Sequence, residues 1–481
     1  MRLMIAGGGG FRVPLVYRAL SSGPFAGLVR ELVLFDVDPL RLAAVKAVLL
    51  SMGSASDGPG PARSGPAGSG PARSGPARSG PAVSTTTSLA EGLDGTDMVF
   101  AAIRPGGTAG RIADERVALG LGLLGQETTG AGGISYALRS IPGMLELARE
   151  MKQRCPEAWL VNFTNPAGMV TEALVPVLGS KVIGICDSAG ALVQRAARAA
   201  GAPLPEGKLD GVGYYGLNHL GWLYRLEAGG KDLLPDLLAD AQALSGFEEG
   251  RLFPQPFLQS LGCLPNEYLY YYYDTGRAVG AIRGMPQTRG ESIHEQQSGL
   301  YPTLAAAGPR AFELWDAARR SREEGYLAEA RAGGEQRDEE DLAGGGYERV
   351  ALGVMRALSG GTSSGGAGGV GGAELILNTP NAGAIPGLPA DAVVEVPCRV
   401  TPDGAVPLPQ DRPAAAQLAL MQRVKEVERL TVSAAAHGRR DDAVRAFALH
   451  PLTDSDELAV ELLAGYEAAF PELGLLWRGT D

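Results

Sequence analysis

Cysteine and histidine are scarce in this chain, with four of each in 481 residues. Cys155, Cys186, Cys263 and Cys398 are too few and too scattered for a disulfide framework, and no Cys-x-x-Cys pair suggests structural zinc. Long apolar runs are missing as well. No stretch approaches the roughly 18 to 20 residues of a spanning helix. The start, Met1-Arg2-Leu3-Met4-Ile5-Ala6, runs into glycines without the apolar core and small-residue cleavage site of a signal peptide. A cytoplasmic protein with no membrane partner is therefore expected. Positive charge is in deficit: 43 Lys and Arg against 54 Asp and Glu give a net charge of −11. That balance argues against a nucleic-acid or anionic-membrane partner, whose footprint is basic. An anionic small molecule must instead meet a local cluster of arginine or lysine.

Glycine and proline are abundant, 69 and 33 residues, and much of the excess lies in two places. The near-repeat Gly-Pro-Ala-Arg-Ser between about Gly58 and Ala82 has almost no large apolar residue to offset its ordering entropy, so it is expected to be a disordered surface insert. Ser359 to Gly372 is a Gly/Ser-rich loop. Elsewhere, short apolar runs at Leu3–Ala6, Glu31–Phe35, Met98–Ala102, Trp159–Asn162 and Val182–Ile185 alternate with helical patterns such as Val13–Leu20 and Ile141–Met151. Buried strands separated by helices predict an α/β fold with a doubly wound parallel sheet of Rossmann type over residues 1–190. From about residue 190 longer helical patterns (Ala191–Ala200, Ala311–Ala332, Ala414–Leu430) predict a second, α+β region over 191–481 with a smaller mixed sheet of its own.

The first predicted strand runs into Gly7-Gly8-Gly9-Gly10, and Phe11-Arg12-Val13-Pro14 opens a helix whose amides and dipole suit a pyrophosphate. The second strand ends at Phe35-Asp36, where a carboxylate can accept from a ribose 2′-hydroxyl, favouring NAD over NADP. A glycine run alone is weak evidence in a chain this rich in glycine. The strand, turn, helix and acid together predict a nucleotide site.

Loops at the carboxyl ends of strands face the ligand crevice of such a sheet, which makes Arg111 and Glu127 site candidates. The chain carries Arg-x-Gly-Gly-x-x-x-Arg from Arg104, Gly-Gln-Glu-Thr from Gly125, Asn165-Pro166, Cys186-Asp187, Gly216-Leu217-Asn218-His219, and Tyr268 followed by Arg289. In order and spacing this set resembles family four of the glycoside hydrolases, NAD- and metal-dependent enzymes that include 6-phospho-β-glucosidases and 6-phospho-α-glucosidases. The resemblance spans nearly the whole chain outside the two low-complexity segments. Gly10 departs from it, standing where the family usually has serine.

The resemblance implies a lactate/malate dehydrogenase-like C-terminal domain and the hydrolysis of 6-phospho-β-glucosides to glucose 6-phosphate and an aglycone. Its route is oxidation at C3 by NAD, deprotonation at C2 and elimination, with the hydride returned in each turnover. Implied metal ligands are Cys186 and His219, for Mn²⁺ or another divalent ion, with the sugar's O2 and O3 completing the coordination. Tyr268 is implied as general base, Glu127 as the residue raising its basicity, and Asp187 as proton donor to the leaving group. Arg111, Asn165 and Arg289 are implied substrate contacts. Each has a plainer reading: a buried core thiol, a solvent-facing carboxylate, a helix N-cap for Asp187, a turn residue for Asn165, surface ion pairs for the arginines. Tyr272 is the alternative base within the run Tyr268-Leu269-Tyr270-Tyr271-Tyr272-Tyr273. The substrate is expected to be a phosphorylated disaccharide or aryl glycoside, and the assembly a homodimer or homotetramer. Competing readings are a 6-phospho-α-glucosidase or another glycosidase of that family, an NAD-dependent hydroxy-acid dehydrogenase, and an NAD-sensing protein without catalysis.

Overall fold

The computed structural model describes residues 1–55, 80–325, 346–360 and 372–480. Its first half is built from β1 (Arg2–Ala6), β2 (Glu31–Phe35), β3 (Ala82–Thr86), β4 (Met98–Ala101), β5 (Trp159–Asn162) and β6 (Val182–Gly184). These pair in parallel in the order β3-β2-β1-β4-β5-β6, the doubly wound order of a dinucleotide-binding sheet. Alternation along β1 shows why the strands read as unbroken apolar runs. Leu3 and Ile5 enter one core, while Met4 and Ala6 enter the core on the opposite face.

The later strands do not form a separate sheet. β7 (Val212–Leu217), β8 (Leu220–Ala228), β10 (Leu264–Pro265), β11 (Ala373–Pro380) and β12 (Val393–Thr401) continue the first one in the order β10-β8-β7-β12-β11-β6. They run antiparallel, and β11 meets β6 through a single pair, Asn378 with Gly184. Short β9 (Lys231–Asp232) and β13 (Gly404–Pro407) pair with β8 and β12.

The C-terminal helices Ala415–His437, Arg440–Leu449 and Asp456–Ala469 return to cover the first half, packing on Gly107–Gly120, Ala131–Arg154 and Ala167–Leu178. Val427, Phe447, Leu462 and Tyr466 share a core with Met4, Val33 and Ile134. Among the described residues no helix is long and apolar enough to cross a membrane.

Several boundaries differ from expectation for local reasons. The helix expected at Ile141–Met151 lies within the longer Ala131–Arg154; Gly132 and Gly133 in its first turn and Pro142 inside it disfavour helix, and the burial of Ile134, Leu138, Ile141 and Leu145 overrides them. The helix expected at Ala414–Leu430 runs to His437 and stops at Gly438, whose φ of 65° ends it. The helix beginning at Ala311 ends at Glu324, and the rest of the expected stretch lies outside the described residues. Residues 56–79 of the Gly-Pro-Ala-Arg-Ser segment and 361–371 of the Gly/Ser segment also lie outside them. Ala82 does not belong to the insert: it opens β3, paired with Glu31.

Candidate active site

The glycine turn is zipped onto the end of β2. Gly7 and Gly8 donate their N–H groups to Phe35 O at 2.9 and 2.7 Å, and Gly9 donates to Asp36 Oδ2 at 2.9 Å. Asp36 Oδ1 accepts from Asp38 N at 3.1 Å, so this carboxylate holds the turn as well as standing at the crevice. Gly7 has φ +89°, and at Gly8 a Cβ would lie 2.7 Å from the Leu34 Cα; neither position admits a side chain. Gly10 N closes the turn on Gly7 O at 2.9 Å, just before the Val13–Ser21 helix. Trp315 Nε1 donates to Phe11 O at 2.8 Å and the Tyr347 hydroxyl to Arg12 O at 2.6 Å, so the second half of the chain clamps the start of that helix. Tight turn, helix N-terminus and acid together fit a dinucleotide.

Cys186 follows β6 and His219 lies in the two-residue turn between β7 and β8, and the fold brings them to 3.5 Å, Sγ to Nε2. A thiolate and an imidazole on one tetrahedral cation stand about 3.6 Å apart, given metal–ligand distances of about 2.3 and 2.1 Å. The ring of Tyr268 stacks on the His219 imidazole, centroids 3.8 Å apart and 14° from parallel. A chain of contacts closes round the three. Tyr268 N donates to Asn266 Oδ1 at 3.1 Å, Asn266 Nδ2 to Ser188 Oγ at 3.0 Å, and Ser188 Oγ lies 3.4 Å from Cys186 Sγ.

The electrostatics of the pair suit a cation. Burial, helped by Glu395 and Asp187, pushes the Cys186 thiol well above the ordinary thiol value, whereas a bound cation would favour the thiolate. Burial pushes His219 down to about 4, leaving a neutral imidazole near pH 7, and its Nδ1 is buried without a hydrogen-bond partner. Among the described residues no group of three His, Cys, Asp or Glu side chains gathers at one point. Asp187 occupies the N-cap position of Ser188–Ala199, but its carboxylate makes no capping bond. Asn165 Oδ1 is likewise buried without a partner.

Beyond His219 lies an arginine cluster. Glu127 sits between Arg104 (2.5 Å) and Arg111 (2.7 Å). Burial alone would raise the Glu127 carboxyl, but the two guanidinium groups outweigh it and hold it at about 2. Arg111 also bonds Glu115 at 2.8 Å, and Glu115 accepts from Gly290 N at 2.8 Å, which ties the start of the Arg289–Gln297 helix to Arg111. Arg289 donates to the Arg322 carbonyl. Removal from water, then the charges of Arg12, Arg111 and Arg289, push the Arg322 guanidinium down to about 9. In a chain of net charge −11, this local excess of guanidinium is the environment an anion would relieve.

The structure thus gathers Cys186, His219 and Tyr268 in direct contact, and Glu127, Arg111 and Arg289 in a second group. Gly7 to Gly10 and Asp36 form a third at the β1 end. Arg12, Arg104, Glu115, Ser188, Asn266 and Arg322 have no role assigned from the sequence, although Arg12 lies in the segment that opens the first helix and Arg104 begins the Arg-x-Gly-Gly motif. Tyr272 lines a pocket together with His219, but its hydroxyl meets a different histidine. Its hydroxyl is 3.4 Å from His450 Nε2, and because His450 Nδ1 accepts from Leu452 N at 3.1 Å, the Nε2 is the donor.

One pH dependence follows. Burial holds His450 at about 3, below the ordinary 6.5. The stability it contributes is therefore intact above about pH 6.5 and is lost as pH falls towards 3. For Glu127 the corresponding loss runs from the ordinary 4.5 down to about 2. Thermal unfolding without added metal is expected to show a Tm that falls continuously below pH 6.5. The fall should be shallower in His450→Gln; an equal slope in that variant contradicts the assignment.

Family models match two segments: residues 77–201 fit family 4 glycosyl hydrolase, and residues 214–453 fit the family 4 glycosyl hydrolase C-terminal domain. A probable 6-phospho-beta-glucosidase of Bacillus subtilis is 28% identical over 81% of this chain and 83% of its own length. A 6-phospho-alpha-glucosidase of Leptotrichia buccalis is 32% identical over 76% and 79%. The solved 6-phospho-beta glucosidase of Thermotoga maritima, with manganese, NAD+ and glucose-6-phosphate, superposes with a TM-score of 0.77 at 26% identity, covering 98% of this chain and 99% of that one.

Proposed function

The chain belongs to family 4 of the glycosyl hydrolases, and on that premise we propose that it hydrolyses 6-phospho-β-glucosides to glucose 6-phosphate and a free aglycone. It is a glycosidase, working with NAD and with Mn²⁺ or a similar divalent cation. The observation that carries the reading is the contact of Cys186, His219 and Tyr268 at the carboxyl edge of a dinucleotide-type sheet. Two-carboxylate glycosidases have no use for such a trio.

When bound, NAD supplies reversible hydride acceptance at the sugar's C3 and the cation supplies Lewis acidity. Gly7 to Gly10 and the helix start would hold the pyrophosphate, Asp36 the adenosine ribose, and Cys186 with His219 the cation. Tyr268 takes the C2 proton, its ring held in place by the His219 stack and by the Asn266 bond to its backbone. Asp187, whose carboxylate does not cap its helix, gives a proton to the leaving oxygen. Asn165 Oδ1 accepts from a sugar hydroxyl, which gives that buried oxygen the partner it lacks. Arg111, Arg289 and Arg322 face the phosphate, and Glu127 fixes the Arg104 and Arg111 forks.

Incubation of an aryl β-glucoside 6-phosphate with NAD⁺, Mn²⁺ and a reductant should release the phenol without net NADH. Net NADH without release would mark a dehydrogenase. Faster release from the α anomer would mark a 6-phospho-α-glucosidase, the reading favoured by the Leptotrichia relative. Arg322→Ala should raise KM for the phosphorylated substrate about 10- to 100-fold, the worth of one charge-assisted hydrogen bond, and leave NAD⁺ binding unchanged. An unaltered KM removes Arg322 from the phosphate site. The same reading takes residues 1–190 as the NAD-binding unit and 191–481 as the catalytic and oligomerisation unit. It places the chain in the cytoplasm as a homodimer or homotetramer, an assembly that sedimentation will report.

A further inference from the structure

The two ligands of the pair ride on parts of the sheet that are weakly joined. Cys186 follows β6, the last parallel strand, and His219 turns β7 into β8. Between β6 and β7 lie β11 and β12, and each outer joint is one backbone pair: Asn378 with Gly184, and Glu395 with Gly216. Side chains strengthen these joints. Glu395 Oε1 accepts from Asn378 Nδ2 at 3.1 Å and from Asn218 Nδ2 at 3.2 Å, while Oε2 accepts from the Tyr214 hydroxyl at 3.1 Å. Glu395 is 1% exposed and Asn378 0%.

Asn218 immediately precedes His219, whose φ of 63° lies in the left-handed region that side chains disfavour. A histidine keeps that conformation only if its surroundings fix it. Asn218 does so from both ends of its amide, giving Nδ2 to Glu395 and accepting from Ala167 N at 3.1 Å through Oδ1. On the other side, Asn378 packs against the strand that leads to Cys186; a Cβ at Gly184 would lie 2.8 Å from the Asn378 Cβ. One carboxylate therefore grips both ligand-bearing segments. Among the described residues Glu395 forms no ion pair with arginine or lysine, and burying an unpaired carboxyl merely to join strands is a costly solution where an apolar pair would serve.

We propose that Glu395 is the positioning residue of the metal pair, setting the Cys186 to His219 separation through Asn378 and Asn218. The proposal rests on the assignment of those two ligands. It is tested by Mn²⁺ titration of the full chain with NAD⁺ bound, following the free Mn²⁺ by electron paramagnetic resonance. Glu395→Ala should weaken Mn²⁺ binding by about 10- to 100-fold, the usual effect of removing a group that orients a ligand, with NAD⁺ affinity unchanged. Glu395→Gln keeps an oxygen for both asparagine amides and an N–H₂ for the Tyr214 hydroxyl, so it should bind Mn²⁺ nearly as the parent does. Asn218→Ala should match Glu395→Ala, and the double variant should fall no further. Parent-like Mn²⁺ binding by Glu395→Ala overturns the proposal, as does a Glu395→Gln affinity as low as that of Glu395→Ala. If Glu395→Ala does not fold, Asn218→Ala decides, and its retention of full affinity overturns the proposal. Undiminished Mn²⁺ binding by His219→Ala would instead bring down the ligand assignment beneath it.

Discussion

His219→Ala and Cys186→Ser are each expected to lower turnover on the order of 10³-fold or more, while leaving NAD⁺ binding and the fold intact. The magnitude follows from the several kcal/mol that a Lewis-acidic cation contributes to a developing charge, at 1.36 kcal/mol per tenfold in rate. The sparing of NAD⁺ follows from the architecture. The glycine turn is held by Phe35 and Asp36 and the helix start after it by Trp315 and Tyr347, none of which bonds to Cys186 or His219. Alanine at 219 has a further consequence, because it removes the ring on which Tyr268 stacks at 3.8 Å. Serine at 186 keeps that ring, so its loss should be restored more readily by a large excess of Mn²⁺. Chelation of the parent should reproduce the Cys186→Ser loss and be reversed by Mn²⁺; full activity in chelator contradicts the metal assignment.

Tyr268→Phe is expected to cost about 10²- to 10⁴-fold in kcat, the range for losing a general base. The substitution deletes one oxygen and keeps the ring on His219, so affinities for NAD⁺ and Mn²⁺ should not move. The neighbouring tyrosines supply the contrast. Tyr270 and Tyr271 are 1% exposed core residues, Tyr273 accepts from Trp222 Nε1 at 2.9 Å, and Tyr272 meets His450. Tyr272→Phe should therefore disturb kcat far less. If Tyr272→Phe loses activity and Tyr268→Phe does not, the base is Tyr272.

What the sequence makes legible here is what is local. The strand at Glu31–Phe35, the glycine turn and Asp36 lie close together in the chain, and the backbone bonds that join them are those of any tight β–turn–α unit. Cys186 and His219 stood out because thiol and imidazole are rare in this chain and share a metal chemistry, with the family resemblance singling out these two. The second arginine group was legible only in part. Arg111, in the Gly107–Gly120 helix, and Glu127 lie only 16 positions apart, but Arg12 meets Glu323 across 311 positions, and nothing in either neighbourhood signals the other. The same holds for Asn266 and Ser188, 78 positions apart, which lock Tyr268 to the thiol. The single continuous sheet is not legible in the sequence because its joint is one residue pair, Asn378 with Gly184, too short to leave a periodic trace. The left-handed backbone of His219 is not legible either, since a turn of asparagine and histidine carries no glycine to announce it.

In the proposed function the C1–O bond breaks by elimination after Tyr268 has removed the C2 proton. Hydrolysis of an aryl β-glucoside 6-phosphate in D₂O, with NAD⁺ and Mn²⁺ present, tests it in a single measurement by NMR of the glucose 6-phosphate formed. Deuterium at C2 of the product with no net NADH is the expected result. Product that retains hydrogen at C2 while the aglycone is released at the full rate would contradict it.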